Sequence, residues 1–385
     1  MKQLEMEELD NNSEVSGSSF RGRRGHIIIA GGGTGGHIFP AIAIANALKK
    51  IDNNIEILFV GAKGKMEMEK VPQAGYKIKG LDIAGFNRSS LIKNIGLPFK
   101  LMKSFLQVKR IFKEFKPDAA IGVGGYSSFP VLRYAQAKGI PTFIHESNSF
   151  AGKSNIMLGK KVVKAFVATD QMEKFFPANK IMITGNPVRE TIARSVAARN
   201  EALRFFSLDE TKRIVLVVGG SLGARSINTA IDEKLDELLK EDLQLIWQTG
   251  KPYAAKAKQS ADGKKGIWVN EFISQMELAY AAADIVVARA GAMTVAELCV
   301  VKKPVLFVPY PFAAEDHQTA NAMQLMNKNA ALMIKDSEVK EKLVAKIIEL
   351  AHDENKQNEL KKNIGALAVT DADKRIAEEI FKSIM

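Results

Sequence analysis

From His26 onward, short unbroken apolar runs alternate with longer stretches of helical spacing. An apolar run that does not alternate with polar residues reads as a strand buried on both faces. Its repetition between helices is the pattern of a doubly wound parallel sheet. The predicted strands are His26–Ala30, Ile55–Val60, Ala119–Val123, Thr142–His145, Ala165–Ala168 and Lys180–Thr184, after which Asn186-Pro-Val-Arg189 closes the first half. A second series opens at Arg213-Ile-Val-Leu-Val-Val218 and continues through Leu243–Gln248, Gly266–Val269, Ile285–Ala288, Pro304–Val308 and Ala331–Ile334. The pattern predicts an α/β fold of two similar doubly wound units, 26–190 and 191–368, facing across a cleft. Residues 1–25 are polar and aperiodic and read as a disordered extension. The last segment, 369–385, reads as an amphipathic helix; packing back on the first unit is one arrangement open to it.

The turns between these elements carry the chemistry. Gly31-Gly-Gly-Thr-Gly-Gly-His37 follows the first strand and leads into the apolar helical run Pro40–Leu48. Glycines admit φ > 0 and close ligand approach, and a helix start offers orphan N–H groups with a positive dipole end, so this turn suits a phosphate or pyrophosphate. It also satisfies GxGxxG. A dinucleotide site, however, places an acidic residue about 20 residues on, at the end of the second strand. Here that strand runs into Gly61-Ala-Lys63, and Asp52 precedes it, so the NAD reading fails. Aligned on glycines, Gly219-Gly220-Ser221 of the second unit matches Gly32-Gly33-Thr34, and Ala224 stands where His37 does. The histidine is therefore not required by the turn itself.

Composition narrows the function classes. The chain has 385 residues, 46% of them hydrophobic, enough for two cores. A single cysteine excludes a disulfide framework and suits a reducing cytoplasm. There is no run of about 18 apolar residues to span a membrane and no secretory apolar segment at the start. Net charge is +12, and between Lys63 and Lys116 there are 13 Lys and Arg against 4 Asp and Glu. Three-quarters of the excess is thus concentrated in one stretch, which suits nucleic acid or an anionic membrane surface.

Three further stretches stand where strands end. Gly122-Val-Gly-Gly-Tyr126 is another glycine turn, readable simply as a tight strand-to-helix connection. His145-Glu146 closes an apolar strand, although either residue could be a satisfied surface group. In Ala288-Arg-Ala-Gly-Ala-Met-Thr-Val-Ala-Glu297, Thr294 and Glu297 have capping-box spacing; alternatively, the carboxylate accepts the two hydroxyls of a ribose. Cys299, Trp247 and Trp268 lie in apolar surroundings and read as packing. Asp371-Ala-Asp373 precedes the last helix and reads as a cap, so no metal site is expected.

Taken together these stretches resemble one family. Gly-Gly-Thr-Gly-Gly-His (32–37), Gly-Gly-Tyr (124–126), His-Glu-Ser-Asn (145–148), Gly-Asn-Pro-Val-Arg (185–189), Gly-Gly-Ser-Leu-Gly-Ala (219–224), Arg-Ala-Gly-Ala-Met-Thr-Val-Ala-Glu (289–297) and His-Gln-Thr-Ala-Asn-Ala (317–322) are similar to the motifs of the MurG glycosyltransferases, members of the GT-B superfamily. The resemblance implies transfer of N-acetylglucosamine from UDP-N-acetylglucosamine to the 4-hydroxyl of the muramoyl sugar of lipid I, with inversion, to give lipid II for peptidoglycan. It implies donor-binding roles for Thr34, Gly35, Gly36, Asn148, Arg189, Ser221, Ile273, Ala292, Met293, Thr294, Val295, Ala296, Glu297 and Gln318. Among these, Ser221 and Arg189 would meet the phosphates, Glu297 the ribose, Ile273 the uracil, and Gln318 with Asn148 the sugar. Thr34, Gly124, Gly125 and Tyr126 would cradle the acceptor pyrophosphate. His37 is the expected base, since an imidazole titrates near neutrality, and Glu146 stands second. No cofactor or metal is expected.

The implied partners are UDP-N-acetylglucosamine, lipid I, an anionic membrane surface and other cell-wall synthesis proteins, with no nucleic acid. The implied location is peripheral, on the cytoplasmic face of the bacterial inner membrane. Phe86, Leu91, Ile92 and Ile95 are expected to dip into the interface, with Lys93, Lys100 and Lys103 on headgroups. Leu101, Phe105, Val108 and Phe112 have core spacing. Two rivals remain at this point: a non-catalytic nucleotide- or nucleic-acid-binding protein, and another GT-B enzyme such as a UDP-sugar epimerase.

Overall fold

The computed structural model of the protein describes residues 25–84, 96–220 and 222–384. The first sheet contains β1 (His26–Ala30), β2 (Glu56–Ala62), β3 (Lys77–Leu81), β4 (Ala119–Gly122), β5 (Thr142–Glu146), β6 (Lys164–Val167) and β7 (Ile181–Ile183). The second contains β8 (Arg213–Val218), β9 (Leu243–Gln248), β10 (Ile267–Asn270), β11 (Ile285–Ala288), β12 (Val305–Phe307) and β13 (Leu332–Met333). Their orders are β3-β2-β1-β4-β5-β6-β7 and β10-β9-β8-β11-β12-β13. In each unit the first described strand lies mid-sheet, and the chain then winds to one edge and returns to the other side of that strand.

That return fixes where a ligand can bind. The β1/β4 and β8/β11 pairs are the points where winding direction reverses, and a crevice opens beyond their carboxyl ends. All the pairings are parallel, and Ala30 lies opposite Gly122 while Val218 lies opposite Ala288. The glycine turns leaving each pair thus emerge side by side.

Each sheet is covered on both faces. Ile27 and Ile29 join one core cluster and Ile28 and Ala30 the other, which is why the run carries no alternation. Strand β3 escaped the sequence pattern: its Lys77-Ile-Lys alternation is that of a half-exposed edge strand, where lysines also discourage pairing with a further strand. The final helix, Ala372–Lys382, buries Ile376, Ala377 and Ile380 in the first unit's core with Ile38 and Ile44 of the helix Gly35–Ile51. Arg375 at its start donates to the Ile183 carbonyl.

The helix Leu97–Phe115 buries Val108 and Phe112, whereas Leu101 and Phe105 are only half-buried. Its other side leaves Phe99, Met102 and Leu106 exposed, at 70%, 61% and 65%. No helix among the described residues is long and apolar enough to cross a membrane.

Candidate active site

The first glycine turn is held rigidly from behind. The Gly31 and Gly32 amides donate to the Val60 and Gly124 carbonyls, and Gly33 N–H donates to Glu67 at 2.7 Å. Glu67 is fully buried and also accepts from Ala62 N–H, so the sequence hid a carboxylate that braces this turn. The helix begins at Gly35, earlier than the run at Pro40 predicts, and this places His37 in its first turn.

His37 Nδ1 lies 2.9 Å from the Gly32 carbonyl oxygen. A carbonyl only accepts, so Nδ1 carries a proton, and in the neutral ring the lone pair is then at Nε2. The imidazole lies flat against the second turn: a Cβ on Gly124 would stand 2.6 Å from Nε2. Gly124 has φ of 97°, so its lack of a side chain serves both backbone and ring.

The pair ending β5 is buried rather than superficial. His145 is 1% exposed, and burial, with the His37 ring as second cause, pushes its pKa down to about 4. It stays neutral near pH 7. Glu146 Oε1 accepts from Asn148 N and Nδ2 (3.1 and 3.3 Å), and Oε2 from Gly152 N and Asn155 Nδ2 (3.1 and 2.8 Å). All four acceptor positions are thereby engaged in pinning the 147–152 loop. Glu146 thus holds Asn148 and the start of the following helix in place, with four donors around its carboxylate.

Across the cleft, the helix Ala292–Val301 starts at the N-cap Gly291, without a side-chain cap. Thr294 is therefore inside the helix, and the Thr-x-x-Glu spacing does not make a capping box. Glu297 instead sits in the second turn, 5% exposed. Its Oε1 accepts from Arg189 Nε at 2.8 Å and lies 2.8 Å from Arg189 Nη2 in an ion pair, and its Oε2 accepts from the Tyr280 hydroxyl at 3.1 Å. Burial raises the Glu297 pKa and Arg189 opposes the rise. Arg189, expected at the phosphates, is here the carboxylate's ion-pair partner and also lies over the Phe39 ring.

Two asparagines stitch the units together beside this helix. Asn186 Nδ2 donates to the carbonyls of Ser147 and Ala292, at 3.0 and 3.4 Å. Asn321 accepts from Ser149 and donates to Ala290 O and Asn148 Oδ1. A cavity of about 350 Å³ at this junction is lined by Ser147, Asn186, Ala292, Val295, Ala296 and Asn321 among others. Gln318 accepts from Tyr310 N–H, which leaves its amide N–H groups as donors. Ile273 is buried in the loop between β10 and the helix Met276–Ala282.

The comparisons with known proteins bear on this arrangement. The family model "Glycosyltransferase family 28 N-terminal domain" matches residues 27–167, and "Glycosyltransferase family 28 C-terminal domain" matches residues 214–376. A Phocaeicola vulgatus protein named UDP-N-acetylglucosamine–N-acetylmuramyl-(pentapeptide) pyrophosphoryl-undecaprenol N-acetylglucosamine transferase is 52% identical over 92% of this chain and 96% of its own length. A Parabacteroides distasonis protein of the same name is 50% identical over 94% and 99%. The crystal structure of Acinetobacter baumannii MurG superposes with a TM-score of 0.74 at 29% identity, covering 93% of this chain and 99% of that one.

The chain belongs to the MurG family.

Several positions of the family's motifs lie on turns that the fold brings side by side. Thr34, Gly35, Gly36, His37, Gly124, Gly125 and Tyr126 line the first unit's switch point, with Tyr126 51% exposed. Asn148 bonds to Asn321, which in turn holds the Ala290 carbonyl just before the helix that carries Ala292, Met293 and Glu297. Ser221 lies outside the described residues, and the helix after its turn starts only at Arg225, later than the glycine alignment with Thr34 predicts. Phe86, Leu91, Ile92, Lys93 and Ile95 also lie outside them. Lys103, expected on headgroups, pairs with Asp82 at 3.0 Å. Sequence reasoning missed Glu67, Tyr280 and Asn321 as site residues; only Asn321 had a signal, its place in the 317–322 motif. Among the described residues, no group of three His, Cys, Asp or Glu could hold a metal ion.

Proposed function

We infer that this chain moves N-acetylglucosamine from UDP-N-acetylglucosamine to the 4-hydroxyl of the muramoyl sugar of lipid I, giving lipid II. The observation that carries the mechanism is the His37 tautomer: Nδ1–H is committed to Gly32, so Nε2 is a lone-pair acceptor at the first unit's switch point. His145 is held neutral behind it and does not compete for the proton near pH 7. With the acceptor hydroxyl on Nε2, the proton passes to His37 as the oxygen bonds to the anomeric carbon. The bond from that carbon to the diphosphate breaks on the opposite face. The configuration inverts and UDP departs with the electron pair.

In this reading the second unit holds the donor. Glu297 takes the ribose, the Ile273 backbone the uracil, and Gln318 and Asn148 the sugar hydroxyls. Ser221 and Ala292–Ala296 complete the donor site, and Arg189 brings positive charge to it while pinning Glu297. Thr34, Gly124, Gly125 and Tyr126 receive the acceptor pyrophosphate. The unit boundaries 26–190 and 191–368 belong to the same proposal.

The test is UDP release from UDP-N-acetylglucosamine with and without a lipid I analogue. Release only with acceptor, at the rate of disaccharide formation, is expected. Consumption of the donor alone would favour a UDP-sugar epimerase, and no turnover would favour a binding protein.

We also propose a peripheral membrane-contact surface, facing the cytoplasmic leaflet that carries lipid I. The support is the exposed stripe Phe99, Met102 and Leu106, at positions i, i+3 and i+7 of one helix, with Lys100, Lys109 and Lys113 on the same element. An apolar stripe edged by lysines suits an anionic interface, at about 1 kcal/mol per basic residue.

A further inference from the structure

We propose that Tyr280 is a positioning residue that sets the enzyme's preference for a ribonucleotide donor over a deoxyribonucleotide one. The proposal rests on the reading that Glu297 binds the ribose. A carboxylate offers four acceptor positions. Oε1 accepts from Arg189 Nε and faces the rest of that guanidinium, with Nη2 also 2.8 Å away, and one position on Oε2 is taken by the Tyr280 hydroxyl. One position on Oε2 is left for a substrate hydroxyl. Tyr280 occupies the other and so decides which way the open position faces.

The surroundings make that contact directional. Tyr280 is 2% exposed, on the helix Met276–Ala282 that follows the Ile273 loop, and its ring packs in the second unit's core. The phenol is held protonated by burial and by the neighbouring Glu297 charge, so toward that carboxylate it acts as a donor. Arg189 enters from the segment joining the units. Tyr280 enters from inside the second unit, and the two hold the carboxylate at both oxygens. With Oε1 turned to the guanidinium, Glu297 discriminates most strongly at the ribose hydroxyl that meets the open position on Oε2. Loss of that hydroxyl leaves a buried acceptor unpaired, which is how a site of this kind rejects a deoxy analogue.

The experiment is calorimetric titration of the full chain with UDP, 2′-deoxy-UDP and 3′-deoxy-UDP, using the unaltered protein, Tyr280→Phe and Glu297→Ala. Tyr280→Phe keeps the ring and removes only the hydroxyl. The unaltered protein should prefer UDP over one of the two analogues, and Tyr280→Phe should narrow that preference by roughly 3–10-fold, the value of a single hydrogen bond. Turnover at saturating donor should stay within about twofold, so that the loss appears in KM. Because the hydroxyl also stabilises the Glu297 anion, UDP affinity in Tyr280→Phe should fall away at a higher pH than in the unaltered protein. Equal weakening of all three ligands would mean a packing role only and would overturn the proposal. An unchanged preference in Tyr280→Phe, alongside a narrowed one in Glu297→Ala, would overturn it too. No preference change in Glu297→Ala would instead remove the ribose reading beneath it.

Discussion

At the scale of single residues, the two histidines differ by environment. His37 is half-buried, with one nitrogen committed to a carbonyl, while His145 is sealed behind it. Replacing His37 by Ala should lower turnover by about 10²–10⁴-fold, the usual worth of a general base, without moving the melting temperature by more than a few degrees. Near-normal turnover would leave the attacking hydroxyl to be activated without a side chain. His145 should instead be visible in stability. Its folded pKa of about 4 lies below the ordinary histidine value of about 6.5, so between those pH values the unfolded chain binds the extra proton. Stability is therefore intact above about 6.5 and declines as pH falls toward 4, by roughly 3 kcal/mol in all. A melting series from pH 7 to 4 should show that decline, and His145→Phe should flatten it. Equal slopes in both proteins would place His145 in a wetter environment.

At the scale of elements, the glycine turns act in pairs and not singly. The β1 turn supplies the His37 ring and the β4 turn supplies the bare backbone on which it lies. Gly124→Ala introduces a Cβ 2.6 Å from Nε2 at a φ of 97°. The strain should cost about 1–2 kcal/mol of stability, and displacement of the imidazole by even 1 Å should lower turnover by about 10²-fold. Unaltered kinetics would show that the ring is not held there during turnover. The helix Leu97–Phe115 gives a second test. Met102→Ser with Leu106→Ser should leave the fold intact, since both are exposed, and reduce sedimentation with anionic vesicles at least tenfold. Binding that persists in the double variant would move the contact elsewhere, for example to the stretch holding Phe86, Leu91, Ile92 and Ile95.

At the scale of the whole molecule, the chain crosses between its units twice, and the second crossing ends in the first unit's core. Ile376 is fully buried against the helix Gly35–Ile51. Ile376→Ala should cost about 2–5 kcal/mol and lower the melting temperature of the first unit. A change below about 0.5 kcal/mol would mean that the last helix docks only loosely.

The tandem units and nearly all their strands follow from the sequence alone, because burial on both faces forces unbroken apolar runs and that signal is local. The glycine turns are equally local, since their spacing, φ requirements and place after a strand are visible within a few residues. Strand β3 was hidden because an edge strand with one solvated face needs neither a long apolar run nor β-rich composition. Pairings between distant side chains were hidden for a different reason. Arg189 and Glu297 are 108 residues apart, Ser149 and Asn321 are 172 apart, and the ties between units depend on how the two sheets face each other. Periodicity fixes which face of an element is buried but not which carboxylate meets which donor there. Glu146 reads as a base candidate in the sequence, and only the fold shows the four donors that close around its carboxylate. Sequence thus determined the fold, the family and the location of the cleft; tertiary packing decided how the polar groups around that cleft are shared out, because each buried charge must find its partners among residues far apart along the chain.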